Sequence, residues 1–577
     1  MFEQLTDAQK EIVCLQGKNI LKACPGSGKT FVVAHKVAYD FKLWNYKNKG
    51  MAILSFTNVA KNELNSKIQE ILGLKTLPYP HFIGTLDAFI SNFIFMPFGQ
   101  IVMKCSSRPS IIEDDFVERY SRFFWKKECY NNGCDPKYFF IDTKRSIYDD
   151  KRKFKDCPFA SNKPCVKFKV NIYSKGYATY KEAIIVAIDI LEKYPNIRKL
   201  IINRFPYFVV DEAQDTSEEQ MRLLNLLFDN GVENAMLIGD PDQAIYEWRD
   251  ADPSVFLNMY KSKSWNSKEL NENFRCSQHI CNATKIFSSL SDTSIARGES
   301  KDSLIKPMII KYSKGNKDVL IKHFLDLCKK ESITISPEKV AILVRGRSGL
   351  TEKDYSKIKD LWQTPVTLLL AKATFYKGIQ DVEKTASEIE KVLYYLFFNK
   401  QANIIDYSVV QKVYTIEKWN YLVFKLSTLL PSSSVSLKNW KIEINSVVDK
   451  FILDNNIKCK NNVEIKVKIR VQDNNLKDFL EQSIEVFFAD TYKKDYLSTT
   501  IHSVKGCTFE AVMLIISTNG KLTSNMINQK DINTEEIRTF YVSATRAKKL
   551  FVLAIPNTIK DKSLVRFPKA YWDLLTN

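Results

Sequence analysis

The segment Ala23-Cys24-Pro25-Gly26-Ser27-Gly28-Lys29-Thr30 holds the residue types needed to grip a polyphosphate. Small residues and glycines let backbone N–H groups turn inward as an anion nest at the positive end of a helix. Pro25, Gly26, Ser27 and Gly28 form the cradle, Lys29 reaches the β and γ phosphates, and Thr30 offers its hydroxyl to Mg²⁺. Ala23 stands where the general pattern has Gly. Hydrolysis also needs one carboxylate on the metal and another to activate water. Phe208-Val209-Val210-Asp211-Glu212 supplies both at the end of an apolar run: Asp211, with Thr30, for Mg²⁺, and Glu212 for the attacking water. An isolated Asp-Glu pair reads as a solvated strand end. Joined to the glycine loop, it reads as the second half of an ATP-hydrolysing site.

Such groups must be held by a scaffold, and the hydrophobic periods say which. Short apolar runs at 19–24 and 51–56 alternate with amphipathic stretches at 30–41 and 58–72, the pattern of a parallel sheet with covering helices. The pattern breaks from about 100 to 180, where Cys, Lys, Asp and aromatics mix with turn pairs such as Asn132-Gly133 and Asp135-Pro136. It returns with strands at 207–210 and 235–239 and a helix opened by Ser217, with Gln220 three residues on as a capping box. A second α/β unit starts around 340–345, is interrupted at 361–482 by a helical Lys-rich stretch, and resumes with strands at 498–503, 511–516 and 550–555. Two parallel sheets, each split by a mostly helical insertion, are the expected α/β architecture.

At 577 residues the chain exceeds a single core of ordinary size. Its net charge of +19 favours a polyanionic partner, although an anionic membrane surface or compositional bias produces the same value. No run of eighteen consecutive apolar residues occurs and the start lacks a signal-peptide profile, so a cytoplasmic location without membrane contact is expected. The 12 cysteines are scattered and read as reduced thiols. Cys129, Cys134, Cys157 and Cys165 fall in the first insertion and raise a metal hypothesis, zinc or an iron–sulfur cluster, against buried thiols as the plainer reading.

The form of the second motif, Asp211-Glu212-Ala213-Gln214-Asp215, resembles that of the UvrD/Rep branch of superfamily 1 helicases, and further matches follow in order from Leu5 to Lys548. The resemblance implies two RecA-like P-loop domains: 1–100 with 180–275, and 276–360 with 483–577, with insertions at 101–179 and 361–482. Leu5-Thr6-Asp7-Ala8-Gln9 resembles the adenine-reading entry motif, with Gln9 on the base. Ser55-Phe56-Thr57-Asn58 and Gly84-Thr85-Leu86-Asp87-Ala88-Phe89 resemble single-strand contact motifs, which assigns Phe56, Asn58 and Thr85 to DNA; Asp87 departs from the His of many members. In Gly239-Asp240-Pro241-Asp242-Gln243-Ala244-Ile245-Tyr246-Glu247-Trp248-Arg249 the resemblance gives Gln243 to the γ phosphate and Tyr246 and Trp248 to the strand. Asn271-Glu272-Asn273-Phe274-Arg275 and Tyr541-Val542-Ser543-Ala544-Thr545-Arg546 resemble the two motifs whose arginines, here Arg275 and Arg546, reach the γ phosphate from opposite domains. Thr500-Ile501-His502-Ser503-Val504-Lys505-Gly506 resembles the fifth motif, with His502 toward the strand. Thr508 departs from the pattern that follows it, leaving Glu510 as a substitute for the usual ribose contact.

Taken singly, Phe56 also reads as a strand-core residue and each arginine as an ion-pair residue. The ordered series joins them. It implies an ATP- and Mg²⁺-dependent motor on single-stranded or tailed DNA that travels 3′ to 5′. Stacking worth roughly 1–3 kcal/mol per base suits grips that form and release without regard to sequence. The alternative is a nucleic-acid-sensing ATPase with little unwinding. The presence of Lys29, Asp211, Glu212, Gln243, Arg275 and Arg546 together favours turnover, since a scaffold needs none of them. The compact form also resembles UvrD-like subunits of bacterial anti-phage defence systems that work beside a nuclease, so a nuclease or defence-system protein is an expected partner. With so little chain after Ala547, a fused nuclease domain is not expected.

Overall fold

Six short strands, the central ones apolar and buried on both faces, build the first sheet of the protein, here a computed structural model. The structure describes residues 3–112, 139–141, 147–149, 164–245, 252–313, 316–346, 364–398, 405, 407–457, 480–488, 495–517 and 534–575. The strands are β1 (Lys18–Ala23), β2 (Met51–Ser55), β3 (Phe82–Thr85), β4 (Tyr207–Val210), β5 (Asn234–Gly239) and β6 (Asn266–Leu270). All pairs are parallel, in the order β6-β1-β5-β4-β2-β3. Alternate residues leave opposite faces. Ala52, Leu54, Phe208, Val210 and Leu237 enter one core, while Met51, Ile53, Tyr207, Val209 and Ile238 enter the other. Helices α1 (Asp7–Cys14), α2 (Lys29–Lys42), α3 (Asn58–Leu72), α4 (Tyr180–Lys193) and α5 (Glu218–Phe228) belong to this lobe. Each of α1, α4 and α5 opens with a capping box, from Thr6/Gln9, Thr179/Glu182 and Ser217/Gln220.

The second sheet repeats the design with β7 (Met308–Tyr312), β8 (Val340–Val344), β9 (Leu497–Thr500), β10 (Phe509–Ile515), β11 (Ala547–Pro556) and β12 (Asp573–Leu575). It is also wholly parallel, in the order β9-β8-β10-β11-β7-β12. The run expected as a strand through residue 503 stops at Thr500. The neighbouring strand β8 ends at Val344, the register partner of Thr500, and a tight turn, Ile501–Val504, follows, with the Thr500 and Ser503 hydroxyls 2.8 Å apart. Helix α6 (Glu535–Ala544) leads into β11.

Between β8 and β9, helices Pro365–Gly378, Val382–Phe398, Ile416–Leu429 and Leu437–Asp454 enclose a core of their own around Trp419, Trp440 and Phe451. The described part of the first insertion is different. Cys105, Ile141, Tyr173 and Ala178 share the first lobe's core, and Glu182 on α4 holds it in place. One Glu182 oxygen accepts from Ile141 N at 2.8 Å and lies 2.9 Å from Lys169 Nζ, both side chains being almost fully buried. That part carries one helix, Pro164–Ser174, and two short two-stranded sheets. A continuous helical run, Leu86–Met103, is long and apolar enough to cross a bilayer by length and mean hydropathy (1.4). In this fold Leu86, Phe89, Ile90, Ile94, Phe95 and Met103 are buried in the first lobe's core.

Candidate active site

β1 leaves the sheet at its carboxyl end, and the glycine loop makes the turn into α2. Cys24 N donates to Leu270 O at 2.8 Å, which ties the loop to β6. Gly26 (φ 73°) and Gly28 (φ 75°) adopt the left-handed backbone that lets successive N–H groups face one point. A Cβ on Gly26 would sit 2.6 Å from Arg275 Cβ and 2.7 Å from Asn273 Oδ1, so that loop and the Asn273–Arg275 turn pack directly on each other. Phe274 N donates to Gly26 O at 2.8 Å, and Asn273 Oδ1 accepts from the backbone N of both Arg275 and Cys276. Pro25 and Ser27 are buried; Lys29 and Thr30, in the first turn of α2, are half-buried. Gln9 is buried beside the loop. Its amide accepts from Thr6 N (3.2 Å) and donates to Ser27 O (3.3 Å), leaving one N–H and one lone pair for a further partner.

β4 carries Asp211 and Glu212 to the same end. Asp211 N donates to Leu54 O at 2.8 Å, continuing the ladder past the strand, and Glu212 N donates to Asp211 Oδ1 at 3.0 Å. Glu212 holds φ 55°, a strained setting for a side-chain-bearing residue. Gln214 Nε2 donates to Glu212 Oε2 (2.6 Å) and to Asp215 Oδ2 (3.2 Å), and Gln214 Oε1 accepts from Asp240 N (2.9 Å). Burial and the charge of Glu212 hold Asp211 well above the usual carboxylate range. Burial acts the same way on Glu212, but Lys29, Lys505 and the Gln214 bond outweigh it and hold Glu212 low. Burial, with help from Glu212, lifts Asp215 to about 6 against the pull of Lys505.

The residues present fit a magnesium nucleotide. Ser27 Oγ and Asp211 Oδ2 are buried without a hydrogen-bond partner, the loop is a backbone nest, and the Thr30 hydroxyl and Asp211 carboxylate are hard oxygen donors of the kind Mg²⁺ prefers.

From the second lobe, α6 and the turn after β9 close on these groups. Arg546 Nη2 donates to Gln243 Oε1 at 2.5 Å, while its Nε and Nη1 donate to Val542 O (3.1 Å) and Cys507 O (3.3 Å). Gln243 Nε2 in turn donates to Asp240 Oδ2 at 2.5 Å. Arg275 Nη1 donates to Thr545 O at 3.1 Å. Burial first, then repulsion from Arg275, lowers Arg546 to about 9. Lys505 Nζ meets Asp215 Oδ2 at 2.5 Å, and Arg538 Nε donates to Ala244 O at 2.6 Å. Lys29, Glu212, Gln243, Arg275 and Arg546 are thus brought to one seam. Gln214, Asp215, Arg538 and Lys505 were not singled out by the sequence reading, although the first, second and fourth lie inside motifs quoted there; only the fold pairs them.

The strand-contact candidates gather at two places. Ser55 and Thr85 are register partners at the ends of β2 and β3, so half-buried Phe56 and exposed Asn58, at the start of α3, flank Thr85. The Thr85 hydroxyl caps the next helix, accepting from Ala88 N at 3.1 Å. Asp87 accepts from Gln220 Nε2 at 2.8 Å, so its departure from His serves the α5 cap. In the second lobe, His502 Nε2 lies 3.1 Å from Arg345 Nη1. Glu510 pairs with Lys548 (3.4 Å) and Lys549 (3.1 Å) on β11. Tyr246 and Trp248 lie outside the described residues, as do Cys129, Cys134 and Cys157; the side chain of Cys165 is likewise not described.

Residues 5–264 match the UvrD/REP helicase N-terminal domain, and residues 453–557 match the UvrD-like helicase C-terminal domain. The chain is 25% identical over 563 residues to the Gabija protein GajB of Bacillus cereus (strain VD045), covering 95% of each. It is 24% identical to a probable DNA helicase II homolog of Mycoplasma pneumoniae, covering 96% of this chain and 84% of that protein. The ATP-dependent DNA helicase PcrA of Staphylococcus aureus shares 24% identity over 48% of this chain and 39% of its own length.

Proposed function

Because the chain belongs to the UvrD/REP superfamily 1 helicases, whose domains imply ATP-dependent action on DNA, we propose that it hydrolyses ATP at the seam between its lobes and converts closure and opening into 3′ to 5′ movement along single-stranded DNA. We take the motor lobes as 1–100 with 180–275 and 276–360 with 483–577, and the insertions as 101–179 and 361–482. The separate core of the second insertion supports that division.

In this reading the loop Pro25–Gly28 and Lys29 hold the phosphates, and Gln9 uses its remaining amide valences on the adenine edge. Thr30 and Asp211 would hold Mg²⁺, which when bound neutralises phosphate charge and orients the γ phosphoryl group. Glu212, kept ionised by Lys29 and its Gln214 bond, accepts the proton of water as that oxygen bonds to the γ phosphorus and the bond to the ADP oxygen breaks. Arg275 and Arg546 face the charge that develops on the transferred group. The observation that carries the proposal is their meeting: Arg546 reaches Gln243 of the first lobe while Arg275 reaches Thr545 of the second. Two buried guanidiniums repel, and an anionic group between them offsets that repulsion only while the lobes are closed. Phe56, Asn58, Thr85, Tyr246, Trp248 and His502 grip the strand by stacking and polar contacts.

A second reading has one observation in its favour, the likeness to GajB over nearly the full length of both chains. It makes the protein a nucleic-acid-sensing ATPase of a defence assembly, beside a nuclease or other defence protein in the cytoplasm, with little unwinding of its own. ATP turnover with and without single-stranded DNA, run beside displacement of duplexes with 3′ or 5′ tails, separates the two. Displacement confined to 3′-tailed duplexes is the expected result. Strong DNA stimulation without displacement transfers the conclusion to the sensor, and turnover indifferent to DNA removes both.

A further inference from the structure

Lys505 and Asp215 are 290 positions apart in sequence and meet at 2.5 Å across the seam. Their side chains are 12% and 2% exposed, so the contact is shielded from water and salt. Asp215 shares the Gln214 amide with Glu212: Nε2 lies 2.6 Å from Glu212 Oε2 and 3.2 Å from Asp215 Oδ2, while Asp240 N pins the other end of the amide. Glu212 sits on left-handed backbone, so the direction of its carboxylate depends on these side-chain bonds rather than on a relaxed main chain. Lys505 follows the Ile501–Val504 turn that also carries His502, and Gly506, at φ 92°, reverses the chain immediately after it. Movement of that turn therefore moves the ammonium.

We propose that Lys505 is a positioning residue that makes hydrolysis conditional on lobe closure: its ammonium fixes Asp215, Asp215 and Glu212 take the two N–H groups of the Gln214 amide, and Glu212 is thereby held toward the attacking water. The inference rests on the reading of Glu212 as the water-activating carboxylate. With the lobes apart, Asp215 is a buried carboxylate deprived of this ammonium; it draws the shared Gln214 amide toward itself, and the bond to Glu212 lengthens. No proton passes along the contacts. A strand held at His502 stabilises the turn in its closed place, so DNA stimulation of turnover is carried by Lys505 to a group it does not itself touch.

The test is ATP turnover of the full chain with and without oligo-dT, together with the KM for ATP and the affinity for the oligonucleotide. Lys505→Met keeps the length of the side chain and removes the charge. Stimulated kcat is expected to fall about 10- to 100-fold, the scale of a catalytic group displaced by about an ångström, and by a clearly larger factor than unstimulated turnover, while KM and oligonucleotide affinity stay near wild type. Lys505→Arg should restore much of the stimulation, and Lys505→Met combined with Asp215→Asn should be no worse than the poorer single variant. Full stimulation of Lys505→Met, or an equal fall with and without DNA, overturns the proposal. If Lys505→Met does not fold, Asp215→Asn alone decides by the same ratio. Glu212→Gln separates the two levels of the argument: turnover surviving in that variant removes the underlying site reading, whereas a dead Glu212→Gln beside a normally stimulated Lys505→Met removes only the coupling.

Discussion

In the variant Gly26→Ala a methyl group enters the contact between the phosphate loop and the turn that carries Arg275. The new carbon would lie 2.6 Å from Arg275 Cβ and 2.7 Å from Asn273 Oδ1, the first about 0.8 Å short of the 3.4 Å at which ordinary contact begins. Neither neighbour is a free side-chain end. Arg275 Cβ is next to backbone, and Asn273 Oδ1 is already bonded to two backbone N–H groups at 2.8 Å, so the turn must withdraw as a body. The left-handed φ adds a further cost of about 1–2 kcal/mol to the fold. A displacement approaching 1 Å at a group that faces the transferred phosphoryl lowers turnover about 100-fold. Gly73→Ala is the matched control: φ is 67°, with nothing within 4 Å of the added carbon and no part in the seam. Gly73→Ala should lose only the φ cost in a thermal melt and Gly26→Ala at least as much, and only Gly26→Ala should lose kcat in a DNA-stimulated ATPase assay. Undiminished turnover in a folded Gly26→Ala would refute the idea that this close packing is what places Arg275.

Lys29→Ala should abolish turnover while near-native circular dichroism is retained, and normal hydrolysis by that variant would take Lys29 out of the site. Glu182→Ala strands Lys169 in the interior and frees Ile141 N, so chemical denaturation should show a loss of about 3–5 kcal/mol, as for other broken buried pairs. Asp215, raised from 3.8 to about 6, binds its proton more tightly when folded, so its favourable contribution is full below pH 3.8 and is lost as pH rises through 6. That shift amounts to roughly 3 kcal/mol, and Asp215→Asn should accordingly gain stability relative to wild type between pH 4 and pH 7 in parallel denaturation series. No difference in slope would mean that the carboxylate titrates normally.

Local rules made much of the frame readable in advance. Met51 to Ser55 and Tyr207 to Val210 alternate between two cores because every second side chain changes face, and Ser217 with Gln220 marks a helix start through hydrogen bonds that span three residues. The phosphate loop was readable because its chemistry is contiguous. What stayed hidden depends on chain segments far apart. Nothing near Lys505 announces Asp215, and nothing near Arg538 announces the Ala244 carbonyl. Asp87 looked like a departure at a DNA contact, and the fold gives it to Gln220 on another helix. The strand expected through residue 503 ended at Thr500 because its neighbour β8 ends at Val344, the register partner of Thr500, a long-range fact that the local run does not carry.

The helices around Trp419 and Trp440 bury their apolar faces against one another, and none of those buried residues is shared with the cores of either sheet. Among the described residues the bundle can therefore change its length or its outer chemistry without repacking the core of either sheet. Sequence drift is free to act there, while the packing of the seam between the two sheets stays under its own, separate constraint.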